Sequence, residues 1–193
     1  MGFLIAAGQD VTPAFLNQYY GFADTAAQTV TAATQQPLST TYNIPALEPS
    51  VASAYEVKFG GTGVWGGTQQ LIAFTLVISG VVVLNTINGV AATAFPISAG
   101  FRYTGYTHFV FSATGASGGV FGDLFVQLSE TANAVGAIPP AAISNTVGLA
   151  DSNSVVATID TTATMPVTVK CGWASVTGAP TISNRKTIFR KVA

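Results

Sequence analysis

His108 is the only histidine of this 193-residue chain, and its surroundings hold the one set of residue types that suggests nucleophilic catalysis. Ser112 follows four residues later and Asp123 lies in the next alternating run, which together supply the parts of a Ser–His–Asp triad. The one G-x-S-x-G match, Gly115-Ala-Ser-Gly-Gly119, reads as a turn between two strands and not as the sharp strand-to-helix elbow that lifts a nucleophilic hydroxyl towards its base. A histidine held within a strand accounts for His108 better. Cys171, the single cysteine, lies in Val167-Thr-Val-Lys-Cys-Gly-Trp173 on the parity of Val169 and Trp173, so it reads as a small core residue and not as a thiolate nucleophile. The sequence predicts no catalytic residue and no enzyme.

Metal and cofactor chemistry finds no better footing. One His and one Cys cannot build a typical zinc site. Asp151-Ser-Asn-Ser154 spaces oxygen donors as a calcium loop does, but it lacks the central glycine and closing glutamate and reads as a polar turn. Gly60-Gly-Thr-Gly63 is not followed by Lys-Ser/Thr or by a helix, so it reads as a flexible turn and not as a phosphate loop. Arg185, Lys186, Arg190 and Lys191 are four of the seven basic residues. They suit either an acidic partner or, the reading preferred here, charge placed on an edge strand against stray pairing. Trp65, Tyr103, Tyr106, Phe109, Phe121 and Phe125 could stack on sugars, but they suit a core and a subunit interface better.

Composition says what kind of surface carries these residues. Charged side chains are 8% of the chain and apolar ones 49%, with a net charge of −1. That balance is the reverse of a disordered chain and gives no electrostatic footprint for nucleic acid or an anionic membrane. So few charges would make a poorly soluble free monomer, which points to a surface covered in an assembly. The apolar run 71–84 is too short to span a bilayer and is split by Ser79-Gly80, so it reads as a buried hairpin and not a membrane insertion.

The elements follow from alternation and turn residues. Thr12 caps and Pro13 opens one short helix over 12–20, ended by Gly21. Thr-rich extended segments at 26–34 and 39–44 are broken near Pro37. Strands are expected at 54–59, 71–78, 81–88, 101–112, 120–128, 155–159, 166–174 and 187–192. A turn at Gly60–Gly67, a tight turn at Asn88-Gly89 and a long polar connection at 129–154 separate them. With no βαβ rhythm and no repeat, the pattern predicts an all-β sandwich or barrel. Residues 1–25 read as an arm and 26–193 as one domain.

The order Tyr55-Glu-Val-Lys-Phe-Gly-Gly-Thr-Gly-Val-Trp65, 71–78, 101–112, 120–128 and 166–173, closed by Lys186-Thr-Ile-Phe-Arg-Lys-Val192, resembles the tumour-necrosis-factor-like jelly roll. It is most similar to the version found in small virion proteins of phages infecting actinobacteria. Those often begin with an arm like Ala7-Gly-Gln-Asp-Val-Thr-Pro-Ala-Phe-Leu-Asn17. The resemblance implies a homotrimer without cofactors, located on the phage particle surface among other virion structural proteins. The role implied is a minor tail, tail-tip or fibre protein, or alternatively a capsid decoration protein. A carbohydrate-binding or adhesion module, with a host cell-surface glycan as partner, is the competing class. In the virion reading Phe3, Leu4, Ile5, Phe15, Leu16, Tyr19 and Tyr20 of the arm would anchor the domain by burial in a neighbouring protein.

Overall fold

The computed structural model describes residues 22–24, 28–65, 71–86, 100–131, 146–152 and 156–193. The expected helix at 12–20, the arm residues from Phe3 to Tyr20 and the Asn88-Gly89 turn lie outside them. The described residues form thirteen strands: β1 (Phe22–Asp24), β2 (Gln28–Val30), β3 (Gln36–Pro37), β4 (Tyr42–Ile44), β5 (Ala54–Val64), β6 (Ile72–Ile78), β7 (Val81–Asn85), β8 (Gly100–Ala113), β9 (Gly118–Thr131), β10 (Thr146–Ser152), β11 (Ala157–Ile159), β12 (Met165–Trp173) and β13 (Thr181–Lys191). All pair antiparallel, in two sheets packed as a sandwich. The larger sheet runs β1-β13-β5-β8-β9-β10, with β2 also on β13 and β11 also on β9; the smaller runs β3-β12-β6-β7, with β4 also on β12.

Period-two alternation sets which face is buried. On β8, Phe101, Tyr103, Gly105, Thr107, Phe109 and Phe111 all point inward, and β9 buries Val120, Leu124, Val126 and Leu128. Aromatic rings join the two sheets. Tyr42 of the smaller sheet stacks on Phe189 of the larger at 3.7 Å, and Phe74 meets Phe59 at 6.0 Å and Tyr103 at 5.7 Å. At one end Trp65 stacks on Phe101 at 4.6 Å and meets Trp173 edge-on at 5.4 Å, while the Trp173 indole donates to the Val30 carbonyl at 3.4 Å.

Several expectations require correction. The glycines at 60–63 form no turn; they continue β5. Gly63 pairs with Phe101 and Gly105 with Phe59, and a Cβ on either glycine would overlap the partner's ring, so the space of a side chain is filled from the neighbouring strand. The long connection after β9 contains β10, which a Gly-containing, half-polar segment does not announce. The hairpin exists over 72–85, turned by Ser79 and Gly80 with φ of 51° and 79°, which suits a two-residue connection. Only part of it is buried: β7 is an edge strand, with Val82 54% exposed. The closing strand starts at Thr181 and is internal, flanked by β5 on one side and by β1 and β2 on the other, so its charges do not guard an edge. The last residues of the expected arm, 22–24, add a strand to it.

Candidate binding surface

Residues 108, 112 and 123 do not converge. His108 is in register with Asp123 on β9 and with Glu56 on β5. Ser112 sits four residues further along β8, about 13 Å at the rise of a strand, too far to share a proton with His108. Cys171 is fully buried, and burial pushes its thiol pKa up, away from thiolate chemistry. Asp151 belongs to β10, where its Oδ2 accepts the Asn85 backbone N–H at 2.6 Å. Among the described residues no group of His, Cys, Asp and Glu could hold a metal ion, and no helix is long and apolar enough to cross a membrane.

The C-terminal charges divide into two pairs. Arg190 Nε donates to Glu56 Oε1 at 2.9 Å, and Lys58 Nζ lies 3.2 Å from the same oxygen. Burial tends to raise the Glu56 carboxyl, but the hydrogen bonds and charges of Arg190 and Lys58 outweigh it and hold the pKa below the ordinary carboxylate range. Lys191 Nζ lies 3.5 Å from Glu48 Oε1 and over the Tyr55 ring. Glu48 Oε1 also accepts the Tyr55 hydroxyl at 3.1 Å. Burial, then the charge of Glu48, pushes the neighbouring Tyr42 phenol up to about 12. Arg190 and Lys191 thus fasten β13 to its surroundings. Arg185 and Lys186 are exposed and form no ion pair among the described residues.

Arg185 and Lys186 stand where the β13–β5 register slips. The pairing jumps from Asn184–Gly61 to Lys186–Gly60, leaving Arg185 as the extra residue of a bulge. Asn184, fully buried, holds the bulge from below: its Oδ1 accepts the Tyr103 hydroxyl at 3.1 Å and its Nδ2 donates to Thr187 Oγ1 at 2.7 Å. Above the bulge, on the solvent face of the larger sheet, lies a groove of about 510 Å³. Its floor is Gly60, Gly61 and Gly105; Lys58, Arg185 and Lys186 stand around it with Tyr106 and Ile188.

The aromatics sort by face. Trp65, Tyr103 and Phe109 are core residues, whereas Tyr106, Phe121 and Phe125 are 40–43% exposed on the outer face of the larger sheet. Period two separates these sets in the sequence, because Tyr103 and Tyr106 have opposite parity. The groove itself gives no such signal, since it depends on a bulge and on which strands flank β5. No family model, no curated protein and no solved structure matches the chain.

Proposed function

We propose that the protein is a structural component of a bacteriophage virion, a trimeric jelly roll displayed on the particle surface in a minor tail, tail-tip, fibre or capsid-decoration position. Strand order carries the reading. Leaving aside β1, β3 and the inserted strands β9–β11, the larger sheet runs β2-β13-β5-β8 and the smaller β4-β12-β6-β7. Numbered one to eight along the chain, these are 1-8-3-6 and 2-7-4-5, the order produced by two interlocked Greek keys. The tumour-necrosis-factor-like resemblance of the sequence points the same way.

The assembly reading is supported by one side of the sandwich. There the edges β7 and β10 adjoin, joined through the Asn85–Asp151 hydrogen bond, and each lacks a further partner strand among the described residues. Exposed Val81 and Val82 lie on β7, and Phe121 and Phe125 lie on the adjacent β9. Exposed edges with apolar neighbours call for cover, and packing around a threefold axis supplies it. In this reading the apolar residues of the arm, Phe3, Leu4, Ile5, Phe15, Leu16, Tyr19 and Tyr20, seat the trimer in a neighbouring virion protein. Sedimentation of the purified protein tests the assembly and mass spectrometry of purified particles tests the location. A trimer present in virions is the expected result. A stable monomer at micromolar concentration overturns the assembly, and absence from particles overturns the role.

A further inference from the structure

We propose that the groove between β13, β5 and β8 is a binding site for an anionic saccharide, with the sugar ring against Tyr106 and the acid group on Arg185 and Lys186. This deepens the reading of a surface-displayed virion protein by giving it a ligand class, but it depends on neither trimer formation nor virion location.

Charge comes first. Lys58, Arg185 and Lys186 are three of only seven basic residues in the chain, and no acidic residue lines the groove. Lys58 shares its charge with Glu56, whereas Arg185 and Lys186 have no carboxylate partner among the described residues. Two adjacent unpaired cations, one of them a guanidinium, are suited to a carboxylate or phosphate, which a guanidinium can grip through two parallel hydrogen bonds.

Shape and apolarity narrow the ligand to one with a ring. The groove falls within the range of small-molecule sites, roughly 300–1,000 Å³, and Gly60, on the outer parity of β5, leaves its backbone open to a ligand there. Tyr106 and Ile188 supply apolar surface at its margin, and Tyr106 keeps its exposure in the folded chain. An aromatic ring with a polar tip packs against the C–H face of a pyranose while its hydroxyl stays wet. Pre-organisation is visible beneath. The buried Tyr103–Asn184–Thr187 hydrogen bonds fix the bulge that carries Arg185, so little ordering is left for the ligand to drive.

The surroundings argue against larger occupants. On the same outer face, Glu56 pairs in register with His108 and His108 with Asp123, and Asp123 lines a second depression beside Tyr106 and Phe125. A nucleic-acid backbone laid across the sheet would meet those carboxylates, whereas a short saccharide would not.

Isothermal titration of the full chain with trigalacturonate, a phosphorylated mannose trisaccharide and neutral galactotriose tests the proposal and separates carboxylate from phosphate ligands. At least one acidic probe is expected to bind saturably, once per chain, and to weaken as salt rises. Arg185→Glu with Lys186→Glu should lower that affinity about tenfold or more, and Tyr106→Ala should lower it too, with circular dichroism and sedimentation unchanged. The proposal is overturned if no acidic probe binds, if galactotriose binds equally well, or if the double variant retains wild-type affinity. A monomer that still binds an acidic probe through these residues would remove the trimer and leave the site standing.

Discussion

The Tyr103 hydroxyl donates to Asn184 Oδ1 across 3.1 Å of the core, joining β8 to β13 through residues that are not hydrogen-bonded neighbours in the sheet. β5 lies between them, and Gly61, which pairs with both Tyr103 and Asn184, leaves the intervening position without a side chain. Burial pushes the Tyr103 phenol well up, so it stays protonated and able to donate. Asn184 passes the connection on to Thr187, and this fixes the register slip that exposes Arg185.

Tyr103→Phe should therefore cost about 1–3 kcal/mol, the penalty of leaving a buried amide oxygen without its donor. Denaturant unfolding would show it as a lower midpoint with an unchanged slope. A variant as stable as wild type would mean that Asn184 is satisfied without Tyr103.

Thr107 makes the opposite case. It is fully buried on the inner face of β8, and its hydroxyl has no partner among the described residues. Thr107→Val keeps the shape and removes an unsatisfied polar group, so stability should rise by about 1 kcal/mol. A loss of that size on thermal or chemical unfolding would reveal a hydrogen bond made in solution.

Acid should loosen the outer face of the larger sheet. The Glu56 carboxyl is held below its ordinary range, so its contribution is complete above the unfolded value of about 4.3 and is lost as pH falls through the folded value. Its cationic partners are about half exposed, which limits the contribution to under about 1 kcal/mol. Glu56→Gln should be slightly less stable near pH 7, and its stability should fall less steeply with acid. Identical pH profiles for the two proteins would count against a role for the Arg190–Glu56–Lys58 cluster.

Removing residues 2–21 tests the arm while sparing β1. The shortened protein should keep its β-rich circular dichroism and its sedimentation, yet fail to enter particles. Extending the deletion through Val30 also removes the strands that flank β13, and folding should then fail. Normal incorporation of the 2–21 deletion would show that attachment lies elsewhere.

The long strands were legible because one face is apolar and the other is not. The parities of Tyr55, Val57 and Phe59, of Phe101 through Phe111, and of Leu124, Val126 and Leu128 are all as alternation predicts. What escaped depends on neighbours. Glycine within β5 resembles a turn until the Phe101 ring is seen filling the side-chain space of Gly63. The cations of β13 resemble edge protection until β1 and β2 are found beyond them. For the same reason the unpaired state of Arg185 and Lys186, which sets the groove apart, becomes visible only once Arg190 and Lys191 have been matched with Glu56 and Glu48.

The position of β13 also has a consequence for biosynthesis. Its partners are β5 and, across most of the chain, the strands at residues 22–30. Until β13 has left the ribosome, β5 waits without one neighbour and the first two strands wait without their template. Long-range pairing of this kind folds slowly and leaves apolar strands open to wrong contacts in the meantime. A nascent chain interrupted before Thr181 would be a sticky fragment and not a smaller version of the domain. Only chains extended through Lys191 can close the larger sheet, so the fold itself holds shorter copies open.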